Sequence, residues 1–177
     1  MLRIATDTDV AAIRQWRNQP PNRDASIQCH EITEAEHARW WTAASSDPTR
    51  RVLIFEYAHQ PAGVVNFFDL STAARRTASW GFFLDAEGLD ARGESLPAWI
   101  DLMGRVVAYA FDELDLDELR GEVLAHNTVV RRMNRRFRFV EGQPSTKIVD
   151  GRRIELVPIT LTRHAALTSK DGRRRGG

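Results

Sequence analysis

Hydrophobic and polar positions divide the chain into segments of two different periods. Leu2 to Ala5 is a short apolar strand, and Thr6 or Asp7 can cap a helix carrying Val10, Ile13 and Trp16 at helical spacing. Pro20-Pro21 should stop that helix, because proline disfavours a helical residue ahead of it. Thr33 and Glu36 have capping-box spacing and open a second helix through Trp40 and Trp41, ended by Asp47-Pro48. Three strands follow: Arg51 to Tyr57, Val64 to Leu70 after the turn at 59–63, and Ala78 to Leu84 after a polar stretch. Their connections are too short for crossover helices, so the three should be antiparallel.

The period then changes. Asp85 to Ser95 reads as a loop with two glycines, and Leu96 to Leu114 as a long helix that accepts Pro97 in its first turn. Leu119 to Leu124 is a strand, Asn127 to Phe137 a basic helix, and Phe139-Val140 and Lys147 to Leu161 the last strands. The order predicts one α+β domain over residues 1–162, with a mixed, mostly antiparallel sheet of about seven strands flanked by about four helices. Its parallel part falls on the strand–helix–strand segment from Ala78 to Leu124. Residues 163–177 lose apolar periodicity, end in Arg173-Arg174-Arg175-Gly176-Gly177, and are expected to be a disordered basic tail.

Composition narrows the classes. A chain of 177 residues with 42% hydrophobic content can bury one substantial core. The net charge of +1 argues against a dedicated nucleic-acid binder. The single cysteine, Cys29, excludes an internal disulfide framework and suits a reducing cytosol. No apolar run is long enough to span a membrane, and Met1 to Ala5 lacks the layout of a signal peptide. The expected location is therefore the cytoplasm. No His, Cys and acid spacing makes a metal-ligand pattern. The tryptophans and final strand suit a homodimer edge as well as they suit a buried core.

Four stretches carry a resemblance to known proteins: Trp16-Arg17-Asn18-Gln19-Pro20, the run from His30 to Trp40, Tyr109 to Asn127, and Asn127 to Phe139. In that order and spacing they resemble the GCN5-related N-acetyltransferase (GNAT) superfamily. The nearest branch is the one holding ribosomal-protein-alanine and amino-sugar N-acetyltransferases. The resemblance implies an acyl-CoA co-substrate, acetyl-CoA above all, and direct acyl transfer to the amine of a small molecule such as an amino sugar or secondary-metabolite intermediate. A protein N-terminus as acceptor, or a non-catalytic binding protein on the same fold, are the alternatives. Neither a nucleic acid nor a membrane is an expected partner.

The resemblance also places a site. The pantetheine arm would pair with the main chain of Phe82, Phe83 and Leu84, and Asn127 would bond it. The pyrophosphate would sit at the helix start within Arg92, Gly93, Glu94, Ser95 and Leu96, where free N–H groups favour anions. Arg131, on the basic helix, could reach the donor's phosphates. Three features depart from the pattern. Ser95 and Pro97 stand where glycines are usual, Ser79 stands where a catalytic glutamate is usual, and Asn134 replaces the usual tyrosine acid. Glu122 on the fifth strand and His30 are the candidate substitute bases, the latter because imidazole titrates near neutrality. Asn134 could still donate to the leaving thiolate. Glu31, His37, Asn66 and Asp69 are the candidate acceptor-pocket residues.

Overall fold

The computed structural model describes residues 1–166. Its eight strands are β1 (Leu2–Ile4), β2 (Arg51–Tyr57), β3 (Gln60–Ser71), β4 (Thr77–Leu84), β5 (Glu118–Leu124), β6 (Val140–Glu141), β7 (Ser145–Val149) and β8 (Arg152–Thr162). They form one sheet in the order β1-β2-β3-β4-β5-β8-β6, with β7 also on β8. Every pairing is antiparallel except β4 with β5. That parallel pair requires a crossover, which the helices α4 (Ala86–Ala91) and α5 (Ser95–Ala108) supply. The remaining helices are α1 (Val10–Asn18), α2 (Pro20–Asp24), α3 (Glu34–Ser46) and α6 (Thr128–Arg136).

The central strands are apolar without interruption because both faces of the sheet are covered. On β2, Leu53 and Phe55 point to one core with Phe67, Trp80, Leu102, Met103 and Phe111. Val52 and Ile54, one residue out of phase, join Ile13, Trp16 and Ala44 of α1 and α3 on the other face. Helices on both sides thus clamp the middle of the sheet, which fixes where β4 ends.

The first helix ends at Asn18, ahead of Pro20-Pro21 as expected, but an unforeseen helix follows it and other expectations need correction. Both prolines occupy the first positions of α2, where a missing N–H costs nothing. The segment 85–95 is not a loop: Asp85 caps α4 by accepting from the Gly88 N–H at 3.1 Å. The long helix is regular only to Ala108 and closes in a π-helical turn over Tyr109–Glu113, with the Leu114 N–H reaching Tyr109 O. The final run is a hairpin rather than one strand, folded at Asp150-Gly151, where both φ angles are positive as an Asp-Gly turn demands. Residues 163–166, counted with the tail in the sequence, pack on the domain. Arg163 donates to Phe111 O at 2.9 Å and to Asp115, and Ala165 and Ala166 lie against the core. The tail beyond Ala166 lies outside the described residues.

Arg3 ties β1 to the turn ahead of α1 with two 2.8 Å bonds to Asp9 and a third to Glu56. These bonds from Arg3 lower the Asp9 carboxyl from its ordinary 3.8 to about 2. A depressed carboxyl stabilises the fold above its unfolded value and loses that contribution as pH falls through 2. Asp9→Asn is therefore expected to cost about 1–2 kcal/mol at pH 7, discounted for the partial exposure of Arg3. Urea unfolding of both proteins at pH 7 and pH 2 should show the gap closing at the acid end.

Candidate active site

The parallel ladder between β4 and β5 is short. It pairs Thr77 with Glu118, Ala78 with Leu119 and Ser79 with Arg120, and stops there. Beyond Ser79, β4 keeps β3 on its other edge and β5 keeps β8 on its own, so the two strands diverge with their facing edges unpaired. A cavity of about 810 Å³ opens in the wedge. Its walls are Trp80 to Leu84 of β4 and Gly121 to Leu124 of β5, closed by α2, α4, the start of α5, and the face of α6 that carries Asn127, Val130 and Asn134.

An aromatic run lines the wedge. Trp80 stacks on Phe82 at 5.5 Å and on Phe139 at 5.6 Å, and Phe82 meets Trp99 at 6.2 Å. Three polar atoms of cavity-lining residues are buried with no hydrogen-bond partner among the described residues: Trp80 Nε1, Trp99 Nε1 and Asn134 Oδ1. Asn134 is only 2% exposed and Trp80 6%. Leaving such groups unpaired is costly, so a ligand with amide-like donors and acceptors is a natural counterpart.

Eight residues singled out from the sequence meet on this cavity: Phe82, Phe83, Leu84, Ser95, Leu96, Glu122, Asn127 and Asn134. Asn127 caps α6, its Oδ1 accepting from the Val130 N–H at 3.2 Å, so its amide N–H₂ is not needed for the cap. Glu122 faces the cavity while both its oxygens accept from Lys147 Nζ, at 2.7 and 2.8 Å. That ion pair fastens the β7–β8 hairpin to the cavity rim.

The others lie elsewhere. Ser79 occupies the last paired position, just before the wedge. Arg92 pairs with Glu94 at 2.7 Å. Gly93 has φ +67 and ends α4 in a Schellman turn, with its N–H on Asp90 O and that of Glu94 on Leu89 O. With Pro97 lacking an N–H, Ser95 and Leu96 are the donors that the start of α5 presents to the cavity. Arg131 is held by Glu141, at 3.0 and 2.7 Å, and by Ala125 O. His30 lies 3.4 Å from Glu36 with both side chains well exposed, and Glu31 is exposed. His37 is buried against Trp40; burial first, then Arg14, lowers its pKa. Asn66 pairs between Val52 and Gly81 inside the sheet, and Asp69 takes a positive φ at a bulge in β3, opposite the start of β4 rather than its end.

Sequence reading missed several cavity residues, among them Trp80, Trp99, Gly121 and Asn22. Gly121 carried a signal, since a glycine inside a strand often marks a close approach. Asn22 sits on the unforeseen α2 and bonds Leu84 O at 2.7 Å, locking α2 onto the end of β4. Gln19 does the same for α4, donating to Asp85 and accepting from the Ala86 N–H.

A sheet split after a short parallel pairing, with a helix starting at the mouth of the split, is the GNAT fold. Solved structures confirm that fold. Spermidine N-acetyltransferase from Vibrio cholerae in complex with CoA and spermine superimposes with a TM-score of 0.77 at 18% identity, over 94% of this chain and 97% of that one. The same enzyme in complex with manganese ions gives 0.73 at 18% identity, over 96% and 95% of the two chains. A chimera of it with hSSAT gives 0.79 at 17% identity, over 94% and 97%. At such identities the likeness is one of fold. By sequence, the chain matches no protein-family model and no curated protein. Among the described residues no helix is long and apolar enough to cross a membrane, and no cluster of His, Cys, Asp and Glu could hold a metal ion.

Proposed function

We propose that the protein is an acyl-CoA-dependent N-acyltransferase acting on the amine of a small molecule. The observation that carries this reading is the wedge itself, where two facing strand edges lack partners from Trp80 and Gly121 onward beside an aromatic-lined cavity. A pantetheine arm, which alternates amides with apolar carbons, supplies what those edges and the unpartnered Trp and Asn side-chain atoms lack. The donor's diphosphate would lie toward the Ser95 and Leu96 N–H groups at the start of α5. In the transfer, the amine nitrogen, having given one proton to the base, bonds to the thioester carbonyl carbon, the carbon–sulfur bond breaks, and the second proton the nitrogen sheds passes to the thiolate. Glu122 is the base, accepting the ammonium proton directly or through a water after parting from Lys147. Asn134 stabilises the leaving sulfur with its amide N–H₂. Neither His30 nor Ser79 is needed for these steps.

The absence of a tyrosine or other acid on α6 at the Asn134 position favours one second reading, a binding protein on the same fold. A thiol-release assay with acetyl-CoA and a panel of primary amines separates them. Amine-dependent release of CoA supports the enzyme, and donor binding without release for any amine supports the binding protein.

A further inference from the structure

Three arginines from three elements converge on one loop and have no carboxylate partner. Arg17 of α1 donates from Nη2 to Gln28 O, Arg23 of α2 from Nε to Cys29 O at 3.0 Å, and Arg152 of β8 from Nη1 to Cys29 Sγ at 2.6 Å. Among the described residues none of the three forms an ion pair with a carboxylate, whereas Arg3, Arg92, Arg105, Arg120, Arg131 and Arg163 all do. Arg17 is half-buried, and its Nη1 is fully buried without any hydrogen-bond partner. Burial, and then the neighbouring Arg23, push its pKa below the ordinary value. Holding a loop carbonyl uses one of the five N–H groups of a guanidinium and does not require three like charges in one place. Partly buried charge of one sign, as at Arg17 and Arg23, costs stability and suits a ligand of the opposite sign.

The cluster also has a position. Arg23 lies between Asn22 and Ala25, which line the cavity, and Arg152 stands on the hairpin that Lys147 fastens to Glu122. We propose that Arg17, Arg23 and Arg152 bind the carboxylate or phosphate of the acceptor while its amine enters the cavity. The acceptor is then an amine that carries an oxyanion, chemically unlike the spermine bound by the structural neighbour. Guanidinium forks match both oxyanions in the same bidentate way. This rests on the acyltransfer reading above for the word acceptor, but the anion site stands or falls by itself.

Two measurements test it. First, inorganic phosphate should raise the melting temperature of the wild-type protein, and Arg152→Met, an exposed and fold-neutral change, or Arg17→Met should each remove most of that rise. Protection that persists in the doubly substituted protein overturns the site. Second, acetyl transfer is compared for propylamine, 1,3-diaminopropane, β-alanine and 3-aminopropylphosphonate. The two anionic amines should exceed propylamine in kcat/KM by at least about tenfold, the worth of one charge-assisted bond. Arg152→Met should erase the advantage and leave the acetyl-CoA Kd unchanged. The better of the carboxylate and phosphonate arms names the source. Equal rates, or a preference for the diamine, overturn the proposal. If phosphate protects through the arginines but no amine is acetylated, the acyltransfer reading fails and the anion site remains.

Discussion

Gly121→Leu should abolish acetyl-CoA binding in a protein that still folds. Gly121 is the first residue of β5 past the last paired position, Arg120, and it forms part of the cavity wall. A Cβ there would stand 3.2 and 3.3 Å from Ile159 side-chain atoms and 3.3 Å from Trp80 Nε1. These are side-chain neighbours that can yield a few tenths of an ångström, and the Gly121 backbone is not left-handed, so alanine should be tolerated. Leucine carries three more carbons into the wedge and fills the floor of the channel. The overpacking should cost about 1–3 kcal/mol of stability, well short of unfolding a domain of this size. Donor affinity should fall at least about 100-fold, or roughly 2.7 kcal/mol. Calorimetry on a sample whose circular dichroism matches the wild type checks both halves. Unchanged affinity would put the donor outside the wedge.

Glu122→Gln should lower kcat about 100-fold while leaving donor affinity unchanged, the scale expected when a positioned base is removed. The rival role for Glu122 is mechanical, since its carboxylate anchors Lys147 and with it the β7–β8 hairpin. Lys147→Met breaks the same anchor and keeps the carboxylate. If Glu122 is only a strut, the two variants should be equally impaired. If it is the base, Glu122→Gln should be far worse in kcat, and Lys147→Met should show mainly a raised acceptor KM through the loosened hairpin.

Much of this architecture was legible because it is written in local periodicity. The apolar run of β2, the capping box at Thr33 and Glu36, and the Asn127 cap of α6 all fall where residue type and spacing place them. The short elements were hidden because their signals are double-edged. Pro20-Pro21 can end one helix or begin another, and here it begins α2 once Gln19 has broken α1 with an extended backbone. Gly93 suits a phosphate loop by position but is consumed by the C-terminus of α4, a helix whose few apolar residues give little periodicity. The Asp150-Gly151 turn is signalled only by a dipeptide between two strand-like runs.

Side-chain pairing was the least legible level. Arg92 and Arg131 looked like phosphate ligands by position, yet tertiary structure gives each a carboxylate, Glu94 for one and Glu141 for the other. The arginines gathered on the 28–29 loop without a carboxylate come from two segments far apart in the chain, Arg17 and Arg23 from one and Arg152 from the other. Only the folded hairpin brings Arg152 to Cys29. Sequence spacing finds groups on one helix face and cannot find groups assembled across three elements.

The central claim is that the wedge between β4 and β5 holds an acyl-CoA. Isothermal titration of the wild-type protein with acetyl-CoA, with free CoA and longer acyl-CoAs alongside, tests it most directly. The account predicts saturable binding at one site per chain that Gly121→Leu removes. No heat with any CoA species, or binding that survives Gly121→Leu intact, would contradict it.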